Sequence, residues 1–202
     1  MKNHTDMLIF HTAICAGASQ IATDGRRELN VLVATPSLRS GMEITMIVRK
    51  AEGKDIPRIM ELLKQVNNVH AAGRPDLFIP NKTKYTEDDL ESIICDPSTP
   101  VFVGAGENDN VLGYAFCCIK RVIGQNNLVD NIELYIDDIC LDEPFRGQGL
   151  AKQLYDEVIH YAKKNAFDRV TLHVWECNPA AKRFYEKCGM KPYYYAMEAE
   201  LD

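Results

Sequence analysis

The chain has no apolar stretch of the roughly eighteen residues that a membrane-spanning helix needs, so no segment of it reads as one and no membrane partner is expected. It also lacks a basic surplus. The 23 Lys and Arg face 29 Asp and Glu, a formal net charge of −6, which argues against non-specific binding to nucleic acid or to an anionic membrane and permits a cationic substrate. No C-x-x-C pair is present: the cysteines Cys15, Cys95, Cys117, Cys118, Cys140, Cys177 and Cys188 are odd in number and have no metal-ligand spacing, so no metal is expected. The adjacent Cys117 and Cys118 read as small hydrophobes on opposite faces of a strand in a reducing compartment, and the expected location is cytoplasmic. Repeats and low-complexity tracts are absent as well. With 202 residues, 46% hydrophobic and 26% charged, the composition is that of one globular domain and not of a disordered chain, a collagen-like rod or a coiled coil.

Residues 1–43 are patterned differently from the rest. The stretch 8–18 is apolar and rich in small residues, as a signal peptide begins, but Asp6 stands where a basic region belongs and His11 and Thr12 interrupt the apolar run. These residues are read as an extension of unknown role outside a main domain of 44–202, with one short strand at 29–34 and with Met42 and Met46 as alternative starts.

From Ile44 the periodicity is orderly. A strand is expected over 44–49, then a helix capped by Asp55 with Pro57 in its first turn and Ile56, Ile59, Met60, Leu63 and Val66 at helical spacing. The stretch 71–84 holds Gly73, Pro75 and Pro80 and reads as a long loop, after which Thr86 and Asp89 form a capping box for a second helix that stops before Pro97. The β-rich runs 101–105 and 111–119 flank a turn at 107–110 and pair as a hairpin. A further strand over 132–141 alternates through Ile132, Leu134 and Ile136 until Asp137 and Asp138 break the period; a bulge or plain solvation of a strand end explains the slip equally well. Beyond it come a helix over 149–164, a strand over 169–175, a helix that opens at Asn178-Pro179 and ends at Cys188-Gly189, and a last strand over 190–201. A helix joins the strands 132–141 and 169–175, so these two run parallel in a right-handed crossover.

The chemistry concentrates in Arg146-Gly147-Gln148-Gly149-Leu150-Ala151, between that strand and its helix. Glycines let the backbone approach a ligand, and the first N–H groups of a helix have no intrahelical partner and sit in the positive end of its dipole, so such a turn suits a phosphate. It lacks the Lys-Ser or Lys-Thr of a nucleotide P-loop and the G-x-G-x-x-G of a dinucleotide fold, and by itself it also fits a turn made only for tight helix packing. In context, residues 139–151 resemble motif A of the GNAT superfamily of N-acetyltransferases, and Trp175-Glu176-Cys177-Asn178-Pro179 together with Phe184-Tyr185-Glu186-Lys187-Cys188-Gly189-Met190 resembles its motif B. The resemblance runs from about Ile44 to the carboxyl terminus.

It implies an α/β (α+β) fold with a mixed, mostly antiparallel central sheet, a splayed parallel pair and helices on both faces. It implies acetyl-CoA as co-substrate, with Ile139 and Leu141 alongside the pantetheine arm, Arg146, Gly147, Gln148, Gly149, Leu150 and Ala151 on the pyrophosphate, and Asn178 on coenzyme A beside its role as an N-cap. Tyr185 matches the family's general acid. An amine attacks a thioester only when neutral, against a reference pKa of about 10.4, so a carboxylate or a water chain must take a proton; Asp137, Asp138 and Glu133 are the candidates. His173 and Trp175 read as packing residues, and Arg74, Asp76 and Phe78 lie in the loop where the superfamily meets its acceptor. The activity implied is transfer of an acetyl group to a primary amine, on a small molecule or a peptide, by direct attack in a ternary complex. A non-catalytic acyl-CoA-binding module is the runner-up, and a homodimer is an expectation from the same resemblance.

Overall fold

The computed structural model describes residues 44–201, so the expected extension and its short strand lie outside the described residues. Strand β1 (Ile47–Lys50) leads through a 3-10 turn into helix α1 (Ile56–Gly73), which buries Ile56, Ile59, Leu62, Leu63 and Val66 at helical spacing. Helix α2 (Glu87–Cys95) begins at the expected capping box: Asp89 N–H donates to Thr86 Oγ1 at 3.1 Å and Thr86 N–H donates to Asp89 Oδ2 at 2.9 Å. Then follow β2 (Val101–Ala105), β3 (Val111–Val122), β4 (Asn131–Leu141), α3 (Leu150–Lys164), β5 (Arg169–Leu172) and α4 (Pro179–Lys187).

The strands form one sheet in the order β1-β2-β3-β4-β5, antiparallel throughout except for the parallel pair β4–β5. Because successive strand residues point to opposite faces, Val101 and Val103 pack with α1 and α2, around Leu62 and Leu90, whereas Phe102 faces the other way. The second face carries Ala115, Leu134, Ile136 and Ile139 under α3 and α4, which add Val158, Ala181 and Tyr185. The mixed sheet covered on both sides is the expected architecture.

The slip in β4 is a bulge. Phe116 pairs with Asp138 but Cys117 pairs with Ile136, which leaves Asp137 as the extra residue. Backbone direction shows its effect. Asp168 N–H donates to Ile132 O at 2.9 Å, so Ile132, Leu134 and Ile136 turn their backbone groups toward β5. Asp142 N–H donates to Leu112 O at 2.8 Å, so Asp142, Cys140 and Asp138 turn theirs toward β3. Only the inserted residue reconciles the two halves, and it leaves the N–H and C=O groups of Ile139 and Leu141 on the β5 side. Regular β4–β5 pairing ends at Ile136 and Leu172 while β4 continues to Leu141.

Two strand expectations need correction. Regular β5 stops at Leu172 instead of reaching Trp175, and residues 191–201 form no strand, with Tyr193, Tyr195 and Met197 largely exposed. A β-rich composition becomes a strand only where a partner edge takes up its hydrogen bonds, and this segment has no such ladder.

Candidate functional site

Burial overturns the solvated reading of the two aspartates: Asp137 is 5% exposed and Asp138 is 3%. The bulge directs both side chains to the α1–α2 face, where each meets donors from distant segments. Lys84 Nζ and the Tyr85 hydroxyl donate to Asp137 Oδ2 at 2.7 and 2.9 Å, and the Tyr114 hydroxyl donates to Asp138 Oδ2 at 2.7 Å. Asp137 Oδ1 is buried and has no hydrogen-bond partner among the described residues. Glu133 lies toward the other end of β4, opposite Lys120 in register and 4.0 Å from Arg169 Nε, away from the two aspartates.

Tyr185 comes from α4 on the opposite face of the sheet. It is buried, and its hydroxyl has no partner among the described residues. Burial, with the Asp138 charge second, pushes this phenol well above its ordinary value, so it stays protonated and available as a donor. Asn178 caps the same helix: its Oδ1 accepts the Ala181 N–H at 3.1 Å, while its buried Nδ2 has no partner among the described residues. Three polar groups on β4 and α4 are thus buried without a protein partner among the described residues, an arrangement that costs stability unless a ligand or an ordered water supplies the missing bonds.

The glycine turn stands at the end of β4. Gly147 and Gly149 adopt φ of +76° and +81°, a region that disfavours side chains, and both are exposed. The α3 ladder begins with Lys152 and Gln153 N–H on Gly149 O, so the N–H groups of Leu150 and Ala151 precede it. Arg146 is placed differently from a simple phosphate clamp. Its N–H closes the preceding 3-10 turn on Glu143 O at 3.2 Å, its Nε donates to Leu141 O at 3.1 Å, and its NH2 group donates to Gln65 Oε1 at 2.7 Å. Gln65 also donates to Asp142 at 3.0 Å, and Arg58 forms an ion pair with the same carboxylate. Helix α1 therefore fixes the turn through Arg58 and Gln65, two residues the sequence did not single out because their partners lie 84, 77 and 81 positions away.

At the mouth between α1 and the end of β5, Phe78 stacks on His70 at 5.0 Å and meets Trp175 edge-on at 5.4 Å, so the loop residue and Trp175 share one aromatic wall. Arg74 is held by Asp76 and by Glu198 of the carboxyl-terminal segment, both at 2.7 Å. His173 bonds the Tyr135 hydroxyl at 3.1 Å and also contacts the Tyr194 hydroxyl. Among the described residues, no helix is long and apolar enough to cross a membrane.

A family model described as the acetyltransferase (GNAT) family matches residues 63–190. Over 69 residues the chain is 33% identical to YycN of Bacillus subtilis (strain 168), described as an uncharacterized N-acetyltransferase; the match covers 34% of this chain and 44% of YycN. Over 56 residues it is 36% identical to the glucosamine 6-phosphate N-acetyltransferase of Arabidopsis thaliana, covering 28% of this chain and 36% of that protein. The chain thus spans less than half the length of these relatives. Among solved structures, a tetramutant of the BH1408 protein from Bacillus halodurans matches with a TM-score of 0.74 at 28% identity, covering 77% of this chain and 100% of that one.

Proposed function

Since the chain belongs to the acetyltransferase (GNAT) family, we propose that it transfers an acetyl group from acetyl-CoA to a primary amine by direct attack in a ternary complex, within a domain of residues 44–202. The observation that carries this reading is the buried Tyr185 hydroxyl beneath the bulged strand, without a partner among the described residues. Evolutionary accident leaves few such groups, because each costs about 1–3 kcal/mol when unsatisfied. Acetyl-CoA supplies the acetyl group already activated as a thioester.

The residues present suit that molecule. The outward backbone groups of Ile139, with the N–H of Leu141, offer a strand-like edge to an amide-bearing arm, and Asn178 Nδ2 offers a further donor. The N–H groups of Gly147, Gln148, Gly149, Leu150 and Ala151 offer a cradle to a pyrophosphate, while Arg146 holds the turn in shape. Tyr185, kept protonated by burial, donates to the leaving sulfur; its raised pKa means that it stabilises developing thiolate charge through a hydrogen bond before the proton moves. Of the three candidate carboxylates, Asp137 has an oxygen without a hydrogen-bond partner among the described residues, and it is assigned as the group that takes the amine proton. The acceptor is an amine on a small molecule or a peptide, in keeping with the glucosamine 6-phosphate for which the Arabidopsis relative is named.

Thiol release across an amine panel tests this. Tyr185→Phe lowers kcat about a hundredfold and keeps the rise in melting temperature that acetyl-CoA confers. The proposal fails if saturating acetyl-CoA leaves the melting temperature of the native sequence unchanged. Binding without product from any amine favours the non-catalytic module instead.

A further inference from the structure

The loop between α1 and α2 brings one lysine to the bulge of β4. Lys84 Nζ lies 2.7 Å from Asp137 Oδ2, with side-chain exposures of 27% and 7%. Tyr85 donates to the same oxygen at 2.9 Å, and the buried His70 ring feels the Lys84 charge as well. Other lysine ion pairs among the described residues are of a different kind: Lys54 with Glu52 and Asp109, Lys152 with Asp156, and Lys182 with Glu176 join exposed side chains.

A lysine amine belongs to the acceptor class of the proposed reaction, and this one is hydrogen-bonded to the carboxylate assigned to take the acceptor's proton. We propose that Lys84 is an internal acetyl acceptor, so that the protein acetylates its own Lys84 Nζ when no external amine is supplied. The inference rests on the acetyl-CoA reading above. In the step, a bond forms between Nζ and the acetyl carbonyl carbon and the carbon–sulfur bond of the thioester breaks. The ammonium loses two protons: one passes through Asp137 to solvent and the other ends on the departing thiol. The products are N-acetyl-lysine and free coenzyme A, and no oxidant or further reactant is needed. Acetylation removes the Lys84 charge, so Asp137 Oδ2 keeps Tyr85 and loses its ion pair.

The test incubates the full chain with acetyl-CoA alone and follows intact mass and peptide masses, while the same preparation is assayed for thiol release with the amine panel. The expected result is one acetyl group on Lys84, gained at a rate independent of protein concentration and at least about tenfold faster than on any other lysine, because its amine already bonds the carboxylate assigned as base. Lys84→Arg, which preserves the ion pair, abolishes the increment and keeps the melting temperature. Acetyl groups spread evenly over exposed lysines, or an unchanged rate in Tyr185→Phe, overturn the inference. So does a protein that turns over external amines without modifying Lys84, and that outcome leaves the proposed function standing. Neither turnover nor modification sinks both.

Discussion

Gly149 allows the phosphate assignment to be separated from ordinary destabilisation. It is the N-cap of α3, with φ +81° and ψ −6°, and a Cβ added there meets nothing within 4 Å. Gly149→Ala therefore costs only the backbone conformation, about 1 kcal/mol for an L residue in the left-handed region, which lowers the melting temperature by about 2–4 °C in a chain of this size. Gly149→Asp meets the same backbone, but its short polar side chain tolerates that region better and is favourable at a helix N-terminus, so without ligand it is at least as stable as the alanine variant. With acetyl-CoA the order reverses. A carboxylate at about 5 Å from a phosphate charge, at an effective dielectric constant between about 20 and 80, is repelled by about 1–3 kcal/mol per unit charge. That corresponds to a Kd weakened by about 5- to 200-fold relative to Gly149→Ala. Titration calorimetry with acetyl-CoA on both variants at two ionic strengths measures it, and the gap narrows as salt rises. Equal affinities of the two variants at low salt would refute the assignment of this turn to phosphate, however stable each variant proved.

Gly113→Ala tests the β3–β4 packing: its Cβ would stand 2.5 Å from the Cys140 carbonyl oxygen, and moving a backbone this central costs about 1–3 kcal/mol. Chemical denaturation reads that loss, and an unchanged midpoint would mean the strands part easily. His70 governs part of the acid response. Burial, with Lys84 second, lowers its pKa from 6.5 to about 4, so between those values the unfolded chain binds more protons than the folded one. Stability is thus full above the upper value and falls as the pH drops through the window, by about 3 kcal/mol in all. The acid limb of a stability–pH profile should flatten in His70→Phe, and an identical limb would assign the acid loss to other groups.

Local chemistry was readable wherever a few adjacent residues settle the matter. Thr86 with Asp89 opens α2, Asn178-Pro179 opens α4, and the broken alternation at Asp137 marks the irregularity that the strand register shows to be a bulge, because caps and side-chain period act over one turn or one pleat. The glycine turn and the two motif stretches likewise carried the family. Burial of Asp137 and Asp138 was not readable, since their donors lie 53, 52 and 24 positions away and belong to a loop and to β3. The same holds for Arg146, whose guanidinium donates to Gln65 and to the Leu141 carbonyl.

The carboxyl-terminal segment shows the converse. Residues with strand propensity form no strand there, because a ladder depends on the edge available and not on composition. The amino-acid order by itself determined the helices, the central strands, the parallel crossover and the motifs that mark the family. Only the tertiary structure decided which carboxylates are dry, which hydroxyl has no partner among the described residues and which lysine stands at the bulge, because desolvation and ion pairing are properties of contacts between distant segments.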